Sequence, residues 1–178
     1  MSKVDKEAII RAAEEVVREK GARKLTLDAV AAQCGLSKGG LLHHFRTKQA
    51  LLQAMLESSI ACESELAAEY AAKGGDSGGP LASRIHSMFA LMEDEETLPR
   101  ALIAAVAEDP ALLEPIKAKE AKIRDELGGK CSDPDLALLL LFATRGLFLG
   151  RVLGVMEPGD PIFERLRKRL LELSADLD

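Results

Sequence analysis

The sequence has no tryptophan, one tyrosine and five phenylalanines. So few rings exclude a core built on aromatic clusters and leave Leu, Ala, Val and Ile to fill the interior. With Glu, Lys and Arg also abundant, that composition favours helices over sheet. Cysteine is scarce and odd in number: Cys34, Cys62 and Cys131 lie too far apart for a disulfide framework or the close pairs of a zinc site. They read as small core residues, with redox sensing as the alternative. Met1-Ser2-Lys3-Val4-Asp5 leads into a charged amphipathic stretch and not an apolar segment, so a cytoplasmic location is expected. The longest apolar run, residues 136–143, falls well short of the ~20 residues that span a bilayer and is soon followed by Arg145. A buried helix and no membrane association are expected. Also absent are a Glu-x-x-His pair, a Ser or Cys with an adjacent base, and metal-ligand spacing, so enzyme activity has little support and neither metal nor cofactor is expected.

What is present suits one globular unit, or two small ones sharing an interface: 178 residues, 47% hydrophobic and 30% charged. The net charge of −5 argues against nucleic acid at first sight, but it is unevenly spread. Residues 1–48 carry ten Lys and Arg against six Asp and Glu, whereas residues 49–178 carry 14 against 23. A basic head on an acidic body suggests a nucleic-acid-binding segment joined to something with another task. A solvated helix face could produce the same excess.

Periodicity predicts an all-α chain. Ile9, Ala13, Val16 and Val17 recur at helical spacing over residues 4–20, and Gly21 follows as a stop. Thr26 is a good N-cap for a short helix that Gly35 closes; Ser37 caps the next helix, residues 38–44, after only Gly35 and Leu36. Two helices meeting across so short a turn form a helix-turn-helix, with Leu41 and Phe45 inward. Thr47 should cap a long fourth helix with the stripe Leu52, Met55, Ser59, Cys62, Leu66 and Tyr70. Residues 73–80, KGGDSGGP, are the clearest break; without a preceding strand or a lysine after the last glycine they are no phosphate loop. Helices are predicted over 81–92, 98–107, 111–127, 134–155 and 161–173, with Gly128-Gly129 as a break. The expected division is a helix-turn-helix domain at 1–46 and a helical body at 47–178, with residues 47–72 connecting them.

Within the head, a recognition helix entering a major groove needs short or flexible donors in its first turn, which Ser37, Lys38 and Gly40 supply. Gly39 and Gly40 each cost roughly 1 kcal/mol relative to Ala inside a helix, reasonable where a backbone must approach DNA closely. Lys48, aided by its helix terminus, can hold a phosphate, and Thr26 can do likewise. Thr26, Ser37 and Thr47 need no ligand to serve as caps; both roles are expected. His43 and His44 are adjacent, so they face apart on a helix and suit groove contact or packing better than a metal.

The segment TLDAVAAQCGLSKGGLLHHFRTKQALL, residues 26–52, resembles the DNA-binding segment of the tetracycline-repressor (TetR) family of bacterial transcription factors. Thr26, Gly35, Ser37, Gly39, Leu41, His44, Phe45, Lys48 and Leu51 match the family pattern; Gly40, Leu42 for a frequent Tyr, and Gln49 for Glu depart from it. Losing that Tyr implies one phosphate contact fewer. The resemblance implies a repressor that binds a palindromic double-stranded operator as a homodimer and is released by a small-molecule effector. It also implies that the last two helices form a four-helix interface with their symmetry mates. Control by a protein partner or by cysteine oxidation is an alternative, as is a helical enzyme or interaction module.

In the body, Leu139, Ala143, Gly146, Gly150 and Gly154 fall on one stripe at about 100° per residue, and this is the expected dimer face. Arg145 lies among large apolar residues nearly opposite. It pairs either with an internal carboxylate such as Glu108 or Glu120, or with an anionic group of an effector. Met88, Phe89 and Met92 could line an adaptable effector pocket, or simply be core. His86 reads as a helix residue with no special role.

Overall fold

A computed structural model describes residues 5–21, 24–73, 79–93, 106, 109–157 and 159–177. Eight α-helices and one 3₁₀ turn are seen among them. In α1 (Lys6–Lys20), Ile9, Ala12, Ala13, Val16 and Val17 are buried; the Ala8 N–H donates to Asp5 Oδ1 at 2.8 Å, and Gly21 ends the helix at φ +83°. Helices α2 (Leu27–Gln33) and α3 (Lys38–His44) are each opened by the predicted cap. The Ala29 N–H donates to Thr26 Oγ1 at 3.1 Å and the Gly40 N–H to Ser37 Oγ at 3.1 Å. Between them Gly35 takes φ +66°, a conformation a Cβ disfavours, and the chain turns there with Leu36 N–H bonded to Ala31 O at 2.9 Å.

Helix α4 (Lys48–Lys73) begins with Ala50 N–H on Thr47 Oγ1 at 3.0 Å. Its buried face departs from the predicted stripe. Leu51, Leu52, Met55, Leu56, Glu63 and Ala67 are buried, while Cys62 is exposed and Ser59, Leu66 and Tyr70 are half-buried. Apolar periodicity misplaced the second half because one of the buried residues there, Glu63, is charged and carries its own partner.

Helix α5 (Pro80–Glu93) is followed by residues outside those described, including most of the predicted 98–107 helix. After the 3₁₀ turn Pro110–Leu113, helix α6 (Glu114–Lys130) accepts Pro115 in its first turn and runs on through Gly128 and Gly129. The predicted break is absent because Leu127 and Cys131 are buried on either side of the glycines, and that packing outweighs the roughly 1 kcal/mol each glycine costs. Helix α7 (Pro134–Leu153) stops two residues early at Gly154, a left-handed cap at φ +75°. Helix α8 (Pro161–Ser174) starts from Asp160, whose Oδ1 accepts the Ile162 N–H at 2.9 Å.

The chain packs as two compact units, Met1–Ile60 with Glu96–Ile116 and Ala61–Glu95 with Lys117–Asp178, which divide inside α4. The core of the first holds Ile9, Val16, Val30, Leu41, Phe45, Leu51 and Met55, with Leu112 contributed from the distant 3₁₀ turn. The core of the second holds Leu81, Ile85, Phe89, Ile123, Leu127, Leu140 and Leu170.

Helix α7 is long and apolar enough to cross a membrane, with a mean hydropathy of 1.8 over its best 18 residues. The run of residues 136–143 underestimated it. One face, Ala137, Leu140, Leu141, Thr144 and Val152, is buried in its own unit. The opposite face stays apolar and bare: Leu139 is 66% exposed, Phe142 54% and Leu153 60%.

Candidate nucleic-acid interface

The first unit presents α3 with its N-terminal turn uncovered. Ser37, Lys38, Gly39 and His43 are exposed, and Gly40, Leu42 and His44 half-buried, while Leu41 and Phe45 anchor the helix from behind. A Cβ on Gly39 would meet nothing closer than Ser37 Oγ at 4.0 Å, and one on Gly40 would meet that atom at 3.4 Å and Leu36 Cδ2 and Cβ at 3.8 and 3.9 Å, ordinary contact distances. Neither glycine is therefore demanded by packing within the chain; together they leave a bare strip of backbone on the outer face. Thr26 and Thr47 are exposed as well as capping, and Lys48 is exposed at the start of α4, beside N–H groups that no earlier turn can satisfy.

Two carboxylates the sequence reading passed over shape this surface. Lys38 Nζ lies 3.0 Å from Asp28 Oδ1 and 3.1 Å from Oδ2, so the first side chain of α3 is held against α2 by an exposed ion pair. Gln49 Nε2 donates to Asp109 Oδ2, and Asp109 Oδ1 caps the 3₁₀ turn through Ala111 N–H at 3.1 Å. A glutamate at position 49 would face that carboxylate with a like charge, which accounts for glutamine there. Neither carboxylate was signalled by spacing, since both act across elements. Arg46, also exposed, adds a cation at the end of α3.

In the second unit the four candidate ligand residues are placed as follows. Phe89 is fully buried, edge-on to Phe163 at 5.0 Å between centroids, with the Arg167 guanidinium over its ring. Met88 is half-buried against the same core, and Met92 is buried at the rim of a cleft of about 270 Å³ that includes Arg151, Asp160 and Phe163. Arg145 pairs with Glu120 of α6 and stacks over Phe142. Of the two internal partners weighed, Glu120 is therefore the one seen; Glu108 lies outside the described residues. Burial lowers the Arg145 pKa from its ordinary value, with Glu120 opposing.

A larger cleft, of about 520 Å³, opens between α4, α5 and α6, lined by Ala67, Ala71, Arg84, Lys119, Ile123 and Glu126 among others. Behind it Lys119 pairs with buried Glu63, on which Ser87 Oγ also lies at 3.4 Å. Burial pulls the Lys119 ammonium down to about 8, against the upward pull of Glu120 and with Arg145 acting in the same direction as burial. Arg84 pairs with Glu126, which also takes Lys130 Nζ at 3.1 Å; those bonds hold the Glu126 carboxyl below its usual range, and Arg84 Nε is buried with no partner. Sequence reading missed this cluster because its charges come from three helices. His86, one turn from the cleft, stacks on Tyr70 at 5.0 Å with its Nδ1 buried and unpartnered; burial, then Arg167, lowers its pKa. No group of three or more metal-ligating side chains occurs among the described residues.

Of the expected dimer stripe, Leu139, Ala143 and Gly146 are exposed on α7. A Cβ on Gly146 would meet nothing within 4 Å. Gly150 instead faces Met156 of its own chain, whose Cγ and Sδ would lie 3.5 Å from a Cβ, and Gly154 is the helix cap. The bare apolar residues on that side are Leu139, Phe142, Leu149, Leu153 and Val155, joined by Ile162 on α8.

Comparison with known proteins agrees in both units. Residues 9–55 match the bacterial regulatory proteins of the tetR family, and residues 78–175 the tetracyclin repressor-like C-terminal domain. The regulator UidR of Escherichia coli K12 is 40% identical over 48 residues, 27% of this chain and 24% of UidR. The class C tetracycline repressor protein of Escherichia coli is 37% identical over 60 residues, 34% of this chain and 27% of that protein. The chain thus aligns with only about a quarter of these curated relatives. Solved structures align along nearly its whole length. A transcriptional regulator from Rhodococcus sp. Rha1 superposes with a TM-score of 0.71 at 23% identity, covering 96% of this chain and 94% of that one. The multidrug binding protein EbrR complexed with ethidium superposes at 0.67 with 26% identity, covering 94% and 97%. With residues 9–55 matched by the one and residues 78–175, more than half of the chain, by the other, the chain belongs to the tetR family of bacterial regulatory proteins.

Proposed function

We propose that this regulator represses transcription from the cytoplasm by binding a palindromic duplex as a homodimer and letting go when a small molecule occupies its second unit. The observation that carries the reading is α3: a helix seated on its own core by Leu41 and Phe45, with its first turn stripped to Ser37, Lys38, Gly39 and Gly40. A major groove admits such a helix, and bare backbone lets it approach base edges closely. Thr26, Lys48 and the N-terminus of α4 fix register on phosphates, and His43 and His44 complete the groove face.

One short helix reads too few base pairs for specificity, so a second copy is needed about 34–36 Å away. The apolar face of α7 supports that requirement, since Leu139, Phe142, Leu149 and Leu153 gain nothing by facing water and Gly146 admits a close helix neighbour. The same burial explains α7's hydropathy without a membrane. Small-molecule control is supported by the clefts of the second unit and by the likeness to EbrR, a multidrug binding protein solved with ethidium. Because α4 belongs to both units, a ligand that binds two settings of this helix unequally shifts the heads between them. Selection of genomic fragments bound by the purified chain, followed by small-molecule screening for release, tests the whole proposal. Recovery of palindromic fragments supports it; retention of no fragment refutes it.

A further inference from the structure

The 520 Å³ cleft between α4, α5 and α6 falls within the roughly 300–1,000 Å³ typical of small-ligand sites, and its walls are chemically divided. Ala67, Ala68 and Ala71 of α4 and Ile123 of α6 supply apolar lining. Arg84, Lys119 and Lys122 bring three cations to the lining against one carboxylate, Glu126. The partners do not cancel this excess. Glu63 takes up Lys119 from behind, but Glu126 is shared between Arg84 and Lys130, and Lys122 has no acidic partner among the described residues. A positive cleft in a chain of net charge −5 is not produced by average composition. Among the described residues the lining also holds no aromatic side chain, which removes the stacking surface and ring quadrupole that favour flat cations.

We propose that this cleft binds an amphiphile with an anionic head, its carboxylate or equivalent group between Arg84, Lys119 and Lys122 and its aliphatic tail along Ala67, Ala68, Ala71 and Ile123. The inference rests on the effector reading above and specifies the chemistry of the effector. Decanoate, decyltrimethylammonium and ethidium are the probes, titrated calorimetrically into the intact protein. Decanoate binds and the ammonium of equal tail length does not. Removing Arg84 or Lys119 strands a carboxylate, so the informative changes are at exposed positions: Ala68→Phe fills the cleft and abolishes decanoate binding, and Lys122→Glu weakens it on the order of fivefold. Lys168→Glu, at an exposed position of α8, changes nothing. Decanoate binding indifferent to both Ala68→Phe and Lys122→Glu overturns the cleft assignment. Preference for decyltrimethylammonium or ethidium, lost in Ala68→Phe, overturns the anionic class while leaving small-molecule control standing. Binding of none of the three overturns the proposal, and the effector reading falls separately only if screening finds no compound that releases DNA.

Discussion

Lys38 and Lys48 are exposed lysines one helix apart, yet their surroundings assign them different work. Lys48 stands at a helix N-terminus with no carboxylate paired to it among the described residues, the arrangement of a phosphate contact, which carries no sequence information. Lys48→Ala should weaken binding to every duplex alike and reduce the slope of log K against log salt by about 0.9; a loss confined to one sequence contradicts this. Lys38 sits in the first turn of α3 and is aimed by Asp28. Lys38→Ala should change base preference in a randomised-site selection, and an unchanged preference removes Lys38 from the base-reading set. At His86 the sign of the pH dependence follows from burial. The folded chain holds the ring neutral, so between its lowered pKa and the ordinary 6.5 the unfolded chain binds more protons. Stability should therefore rise with pH through that window, and the contribution should level off on either side of it. A urea midpoint that declines from about pH 7 to about pH 5 in the parent chain should decline less in His86→Phe, which keeps a ring against Tyr70. Parallel declines would show that other groups govern the acid limb.

Among the elements, the α2–α3 turn depends on one backbone angle. Gly35 has φ +66° and open space around a would-be Cβ, so Gly35→Ala incurs only the conformational penalty, roughly 1–2 kcal/mol. Urea unfolding should show that loss, with a smaller one for Gly35→Asn; an alanine variant as stable as the parent contradicts the turn's geometry. The helices of the first unit were legible because local signals agreed: Thr26, Ser37 and Thr47 cap, glycines stop, and apolar residues keep the period. Legibility failed where long-range packing decided. Leu112 joins the first core from far along the chain, Glu63 occupies a buried position that apolar counting assigns elsewhere, and Gly128-Gly129 stay helical because their neighbours are buried. The candidate groove residues could be read from their first-turn positions. The charged cleft could not, since Arg84, Lys119 and Glu126 meet only in the folded chain.

At the scale of the molecule, a net charge of −5 hides a division of labour between a basic head and a body with an apolar outer helix. Phe142 is more than half exposed in the single chain, so Phe142→Glu should leave folding intact and shift sedimentation towards monomer. An undisturbed dimer places the interface elsewhere. That two copies read DNA together is the account's central claim, and its most direct measurement compares two duplexes: a selected palindrome, and the same half-sites moved apart by about five base pairs, half a helical turn. With two α3 helices held by one dimer, the insertion turns the second half-site to the far side of the duplex. Affinity should fall on the order of a hundredfold, towards the non-specific level. Equal affinity for the two duplexes would mean that each head binds alone, and would contradict the account.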